Sequence, residues 1–306
     1  MTLPPHKLGP YCAWYSLMAI PVCAVSDGRK LGPSAAFFAD LEERCQSLRR
    51  LHLSKANLTA PLPASVEFLT LSDCSLSPAA FPPTRIDAAT FAVTSPRLRE
   101  VELLAVKLQR GAMSAVPGSV EKLKLRNTRL PRECFQAVAE SDGGQAVVSQ
   151  LAEIDLSDST SLTDREVADI TAAWPHISTL KLNRCTAFHF PIDIIFDGSL
   201  EVLELNGVPI SDDDIEEICS YLGDTLRRLS IAGCPVTDQS VRMIVAELTN
   251  LQSLDVSGCQ EINKRFFMAF AGMGETLRYL NVSSTNIANN TVNLLRVCMP
   301  ECQVVR

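Results

Sequence analysis

A short apolar pattern recurs ten times in this chain: an apolar residue, two others, an apolar residue, one other, and a third apolar residue. The last six copies start 23 to 26 residues apart, and each is followed by an amphipathic segment. A unit of this length cannot bury its apolar side chains alone, so neighbouring copies must stack. The copies start at Leu48, Val66, Leu98, Val120, Leu151, Ile177, Leu200, Leu226, Leu251 and Leu277.

This pattern is typical of leucine-rich repeats. It predicts an α/β solenoid, a horseshoe of about ten repeats, with a parallel sheet on the concave side and helices on the convex side. Helix starts are indicated at Thr163, where Glu166 can complete a capping box, and at Ser211 and Thr237. Each repeat is therefore predicted to be a strand, a turn and a helix.

A cysteine often stands three residues after the third apolar position, at Cys74, Cys185, Cys234 and Cys259. This slot faces the interior of a stack, where a cysteine acts as a small hydrophobic residue with a weak S–H donor. The chain has 11 cysteines, an odd number, and no close pairing recurs between repeats. We therefore expect reduced thiols and a cytoplasmic or nuclear protein.

The first 32 residues carry several prolines and glycines and are predicted to be an irregular segment. Their apolar stretch is too short for a membrane span. It leaves two targeting alternatives open: a signal peptide, with glycan acceptors at Asn57, Asn281 and Asn289, or a mitochondrial transit peptide. Residues 33–306 are predicted to form one repeat domain, with a capping helix over 33–46 and a C-terminal cap from about 288. The spacers 77–97 and 131–150 break the rhythm, the second as an exposed loop.

Binding is expected in place of catalysis. No nucleophile elbow, P-loop, dinucleotide fingerprint or zinc-protease motif occurs. We expect no cofactor and no metal, because Cys185 with His189 and Cys298 with Cys302 are lone pairs that core packing explains. The acids from Asp212 to Glu217 are expected to be a solvated helix start that the helix dipole favours. The net charge of −7 argues against nucleic acid as a partner.

The concave face of such a stack can be predicted column by column. In the column between the second and third apolar positions, five consecutive members alternate in charge: Glu102, Lys124, Asp155, Lys181 and Glu204. Two interpretations stay open, a ladder of ion pairs that satisfies itself or a mixed-charge patch that selects a protein ligand. The residues expected to contact a partner are Glu102, Lys124, Arg126, Asp155, Lys181, Arg184, Glu204, Arg228, Asp255 and Tyr279.

The repeats LRRLSIAGCPVTDQSV and LQSLDVSGCQEINKRF resemble those of F-box/leucine-rich-repeat proteins, the substrate receptors of cullin–RING ubiquitin ligases. The resemblance covers residues 33–306 and implies an adaptor that recruits proteins for ubiquitin-dependent degradation. Residues 1–32 do not match an F-box, so contact with the Skp1 adaptor and a cullin is expected only if an equivalent of the F-box exists. Substrate binding is the function that the resemblance carries over.

Two alternatives remain. The closing sequence from Met299 to Val305 is similar to that of cysteine-type repeat proteins that help to assemble mitochondrial respiratory complexes. A secreted leucine-rich-repeat recognition protein is the other alternative, which free thiols throughout would contradict.

Overall fold

The computed structural model describes residues 12–17, 20–25, 43, 48–55, 57–58, 62–76, 97–108, 116–130, 150–174, 176–187, 200–263 and 267–306. Its strands are β1 (Cys12–Leu17), β2 (Ile20–Val25), β3 (Arg50–Ser54), β4 (Asn57–Leu58), β5 (Phe68–Ser72), β6 (Ser75–Leu76), β7 (Glu100–Leu104), β8 (Lys107–Leu108), β9 (Lys122–Arg126), β10 (Glu153–Asp155), β11 (Thr179–Lys181), β12 (Val202–Glu204), β13 (Arg228–Ser230), β14 (Ser253–Asp255), β15 (Tyr279–Asn281) and β16 (Gln303–Val305). Its helices are α1 (Asp164–Ala173), α2 (Asp212–Leu222), α3 (Asp238–Glu247), α4 (Phe267–Ala271) and α5 (Asn289–Cys298).

The chain divides into two compact units. Unit one holds residues 1–154 with 172–174, and unit two holds residues 155–171 with 175–306. In unit one, strands β3, β5, β7 and β9 pair in parallel, so that equivalent residues of successive repeats lie side by side. The second apolar positions form one such row, and all four are at most 1% exposed: Leu51, Leu69, Val101 and Leu123. The core of unit one is therefore built from rows of one repeat position.

Unit two repeats the same arrangement over strands β11 to β16, each paired in parallel with the next. Its central row is buried and consists of Leu180, Leu203, Leu229, Leu254, Leu280 and Val304. The helices bury the faces that the periodicity predicts, as Ile215, Ile218 and Leu222 do in α2. The predicted leucine-rich-repeat solenoid with its parallel sheet is confirmed.

The helix starts follow the predicted signals. Ser211 is the N-cap of α2, and its side chain accepts a hydrogen bond from the backbone of Asp214 in a complete capping box. Thr237 caps α3 and accepts from the N–H of Gln239. At α1, the carboxylate of Glu166 accepts a hydrogen bond of 2.9 Å from the N–H of Thr163. These contacts satisfy N–H groups that a helix leaves without partners in its first turn.

Two predictions differ from the structure. The segment 1–32 is not irregular throughout, since β1 and β2 form an antiparallel hairpin and β2 pairs in parallel with β3. Pro21 has no N–H to donate, but the pairing of β2 with β3 starts only at Val22, so no hydrogen bond of that pairing needs an N–H at position 21.

The second difference concerns the helices. In the described part of unit one, the residues after the turn form the short strands β4, β6 and β8, which make a separate three-stranded sheet.

One backbone conformation marks the end of every strand in the repeats. Among the described residues, ten have a left-handed φ of 48° to 73°: Lys55, Asp73, Ala105, Asn127, Asp158, Arg184, Gly207, Gly233, Gly258 and Ser284. The residue directly after this left-handed residue occupies the cysteine slot. Its side chain lies within reach of the carbonyl oxygen at the third apolar position of the preceding repeat. The thiols in this slot donate to those carbonyls, as Cys185 does to Leu156 O at 3.3 Å.

The residues predicted to cap the repeat domain from about 288 form a helix and a strand, α5 and β16. Val292 and Leu295 are buried, whereas Leu294 and Val297 are 46% and 76% exposed. The predicted capping helix over 33–46, apart from Glu43, and most of the two spacers lie outside the described residues. Within the described residues, no helix is both long enough and apolar enough to cross a lipid bilayer.

Candidate partner-binding face

The solvent-facing side of the strands carries the charged column that the sequence predicts. In unit one, Glu102 of β7 and Lys124 of β9 are direct neighbours in the strand register. The amino group of Lys124, however, pairs diagonally with Glu100, with Nζ 2.5 Å from Oε1. Burial opposes the charged form of Lys124, but this hydrogen bond and the nearby carboxylates raise its pKa above the ordinary value. Lys124 is thus held by its own sheet.

Other charged columns of unit one are also paired. Lys122 Nζ lies 3.4 Å from Glu153 Oε2. In the column just after the first apolar position, which sequence reasoning missed, Arg49 pairs with Glu67 at 3.7 Å and Arg99 with Glu121 at 3.6 Å. The signal was present in the sequence, because the first four members of this column alternate in sign. Arg126 is half-buried at the end of β9, and its backbone carbonyl accepts from Thr128 Oγ1.

In unit two, Lys181 and Glu204 are neighbours in register, and their charged atoms are 3.8 Å apart. Arg184 makes a two-point contact with Asp158, with Nε and Nη2 at 2.5 and 2.8 Å from the carboxylate oxygens. This hydrogen bonding raises the pKa of Arg184 above its usual range. Asp155 is 8% exposed and accepts from the N–H of Ser157 at 3.0 Å. Four predicted site residues of unit two are therefore already engaged within the protein.

A second set of polar contacts, also missed from the sequence, joins the strand ends of unit two. Asn183 donates to Glu204 Oε2 at 2.9 Å, and its carbonyl oxygen accepts from the N–H of Asn206 at 3.0 Å. Asn206 in turn accepts from the hydroxyl of Ser230 and from the N–H of Ala232, both at 2.7 Å. These amides fix the strand ends, because each one links neighbouring repeats.

The last strands of unit two are different. Arg228 is exposed on β13, and Tyr279 is half-buried on β15, and both are in register with Ser253 between them. Among the described residues, Arg228 forms no ion pair, in contrast to the cations of the charged columns. Asp255 is engaged, since it accepts from Asn281 Nδ2 at 3.0 Å and from the N–H of Ser257 at 2.9 Å. The structure thus brings Arg228 and Tyr279 together beside a small serine.

The small residues after these strands serve the turn. Gly207, Gly233 and Gly258 all have a positive φ, and Ser284 adopts the same conformation. A Cβ on Gly258 would lie 3.4 Å from the backbone nitrogen of Gly233, so this turn also packs closely against its neighbour. Their small side chains suit the left-handed backbone of this tight turn.

The acids at the start of α2 are more than a solvated helix start. Asp212 accepts from the N–H of Thr237 at 2.9 Å and from its hydroxyl at 2.7 Å, and it also accepts from Ser240 at the start of α3. Burial opposes the charged form of Asp212, but these hydrogen bonds outweigh it and lower the pKa of the carboxyl. Asp238 repeats the contact by accepting from the N–H of Asn263. These aspartates link successive helices.

Nothing in the described side chains indicates reaction chemistry. Among them, no three His, Cys, Asp or Glu side chains are grouped so as to hold a metal ion. Burial raises the pKa of Cys234 and Cys219 to about 12 and that of Cys185 and Cys259 to about 11, so these thiols are protonated and poor nucleophiles.

The stacked strands, the left-handed turns and the buried cysteine slots together define a leucine-rich-repeat protein, a class whose sheet serves as a scaffold for protein binding. A family model described as a leucine-rich repeat matches residues 247–264. Among solved structures, an internalin from Listeria monocytogenes is similar, with a TM-score of 0.51 and 16% sequence identity over 86% of this chain and 68% of that one. At that identity the likeness supports the fold.

Proposed function

We propose that the protein is a non-enzymatic recognition module that binds a protein partner on the solvent-facing side of the strands in unit two, with Arg228 and Tyr279 as anchors. The observation that carries the proposal is the contrast between Arg228 and the paired cations. Lys122, Lys124 and Lys181 are each within 4 Å of a carboxylate. An exposed arginine without such a partner can form an ion pair with a ligand without first breaking one.

The geometry around the anchors suits a docking centre. Strands β13 and β15 are separated by β14, which places the backbones of Arg228 and Tyr279 about 10 Å apart. Ser253 between them leaves room for a side chain of the partner. Tyrosine and arginine are enriched among the residues that dominate binding energy. The other predicted contact residues, most of which are engaged within the protein, would contribute shape and charge at the rim.

The proposal includes a relation to the F-box/leucine-rich-repeat substrate receptors of ubiquitin ligases. Support comes from the cysteines in the interior slot, four of which donate to backbone carbonyls of the preceding repeat. The seven described cysteines whose side chains are defined are free thiols. This supports a reducing compartment, the cytoplasm or the nucleus, as the site of action.

The test is affinity purification of the tagged full chain from cells, followed by quantitative mass spectrometry. Arg228→Glu and Tyr279→Ala are expected to lose a shared set of partners. Arg165→Glu, which makes the same charge change at an exposed position of α1, is expected to keep them. If both variants at the docking centre retain every partner, the proposed face is wrong. Recovery of Skp1 and a cullin would support the ligase relation, and other partners without them would leave a stand-alone binding module.

A further inference from the structure

A cleft of about 530 Å³ opens in unit one, behind the strand ends rather than on the charged columns. It lies between two neighbouring repeats, at the segments that follow their left-handed turns. Clefts of this volume are within the range that ligands occupy. The residues that shape it are Val106, Lys107, Leu108, Asn127, Arg129 and Leu130.

One wall of this cleft is an edge strand. The separate sheet of unit one has the order β4-β6-β8, so β8 is its last strand. The N–H of Lys107 donates to Cys74 O at 2.8 Å, on the side of β6. Because backbone groups alternate along a strand, Leu108 directs its N–H and carbonyl to the other side, toward the cleft. A strand edge that faces a cleft in this way can accept a further strand from another chain.

The following repeat does not continue this sheet. Asn127 has a left-handed φ of 48°, and the residues Arg129 and Leu130 that correspond to β8 are not in a strand. At the turn the two repeats are still joined, since the N–H of Ala105 donates to Arg126 O at 3.1 Å and the N–H of Val106 donates to Thr128 Oγ1 at 3.4 Å. Beyond the turn, among the described residues, no backbone hydrogen bond joins Lys107 and Leu108 to Arg129 and Leu130, and the cleft lies between these two segments.

The chemistry of the cleft is apolar inside and positive at the rim. Val106 and Leu108 are 1% and 6% exposed, and Leu130 is half-buried. Lys107 and Arg129 are exposed, and among the described residues neither forms an ion pair. Two cations at the rim of an apolar cleft favour an acidic ligand.

We propose that this cleft binds an extended acidic peptide segment of another protein, which adds to the edge of β8 as a further strand. An apolar side chain of the peptide enters between Leu108 and Leu130, and flanking Asp or Glu side chains pair with Lys107 and Arg129. Backbone hydrogen bonds to Leu108 supply affinity that is independent of the peptide's sequence. This site is separate from the docking centre at Arg228 and Tyr279 and does not depend on it.

The test is fluorescence anisotropy of the purified full chain with a short fluorescein-labelled peptide that alternates glutamate with valine. Lys107→Glu and Arg129→Glu are each expected to weaken binding by about tenfold, as expected for the loss of a charge-assisted contact. Arg165→Glu is the matched control and is expected to leave the affinity unchanged. Both cleft positions are exposed, so the variants are expected to fold, which circular dichroism checks.

Two altered peptides separate the parts of the proposal. Replacing the glutamates by lysine is expected to abolish binding, and N-methylation of alternate backbone amides is expected to weaken it because strand addition needs those amides. The proposal is overturned if the glutamate peptide does not bind, if it binds the Lys107→Glu and Arg129→Glu variants equally well, or if N-methylation has no effect. Arg228→Glu is expected to bind the peptide normally, so failure here and failure of the proposed function are distinguishable.

Discussion

The thiol of Cys234 donates a hydrogen bond to the carbonyl oxygen of Leu205 in the preceding repeat, across 3.1 Å. The same contact recurs from Cys259 to Ile231 O at 3.2 Å, and Thr128 makes it with a hydroxyl to Leu103 O at 3.3 Å. The carbonyls of Leu205 and Ile231 also accept a backbone N–H within their own repeat, as Leu205 O does from Val208 at 3.1 Å, so the slot residue supplies a second donor. The cysteines are therefore structural hydrogen-bond donors as well as small apolar side chains.

Replacement of Cys234 tests this role. Cys234→Ala removes the second donor to Leu205 O and leaves a small cavity, so we expect the free energy of unfolding to fall by about 1 kcal/mol. Cys234→Thr keeps a donor of the kind that Thr128 provides and is expected to lose less than half of that. Urea denaturation measures both. Cys234→Val fills a similar volume without a donor, so a loss as small as that of Cys234→Thr would show that only volume matters in the slot.

The buried thiols predict a dependence of stability on alkaline pH. Burial raises the pKa of Cys185 from 9.0 to about 11 and that of Cys234 to about 12. Between about pH 9 and 11 the unfolded chain loses these protons while the folded chain keeps them, so rising pH favours unfolding. The stabilising effect is complete below about pH 9 and is lost as the pH rises through the pKa values that the two thiols have in the folded protein.

Urea denaturation at about pH 8 and about pH 10 measures that loss. The variant Cys185→Thr with Cys234→Thr is the control, since lysines and tyrosines that titrate in the same range remain unchanged. We expect a smaller pH effect in the variant. An identical pH effect would mean that the thiols do not contribute.

The turn at Gly233 predicts a graded set of losses. Its φ is 69°, and an added Cβ would meet nothing within 4 Å, so the cost of a side chain there is conformational alone. Gly233→Asn is expected to lower the free energy of unfolding by less than about 1 kcal/mol, because asparagine tolerates this region. Gly233→Val is expected to cost more, about 2 kcal/mol, because its β-branch is disfavoured there. Thermal unfolding ranks the two, and a reversed order would contradict the turn assignment.

Asp212 predicts a stabilising link between α2 and α3. Asp212→Ala removes the acceptor for Thr237 and Ser240 and is expected to cost about 2 kcal/mol, whereas Asp213→Ala, at the exposed next position, is expected to cost little. Because the folded pKa of Asp212 lies below 3.8, its contribution is present above about pH 4 and is lost as the pH falls through the folded value. Chemical denaturation at neutral and acidic pH compares the two variants. If Asp212→Ala and Asp213→Ala lower the free energy of unfolding equally, Asp212 does not stabilise the contact between α2 and α3.

The periodic features of this fold were predictable because burial follows repeat position. The rows at Leu203 and Leu229, the interior cysteine slot and the buried faces of α2 and α3 all depend on local spacing, which the sequence displays directly. The alternating charges also predicted the contact between Lys181 and Glu204, since both lie at one position of adjacent strands.

Other features depend on contacts that spacing does not encode. The hairpin of β1 and β2 was missed because Pro21 lies within it and further prolines and glycines flank it, a composition that indicates irregular chain, whereas its strand partner, β3, is distant in sequence. Lys124 pairs with Glu100 instead of Glu102 because a long side chain can reach a diagonal neighbour. The cleft beside β8 arises where the short sheet stops, and no residue pattern marks that end.

The most direct test of the central claim is photo-crosslinking from defined positions in cells. A p-benzoylphenylalanine at Tyr279 is compared with the same residue at Tyr221, which is 52% exposed on α2. If unit two binds its partner through the solvent-facing side of its strands, position 279 gives a partner adduct that Arg228→Glu abolishes, and position 221 gives none. An adduct from position 221 together with none from position 279 would contradict the account and place the partner on the helices.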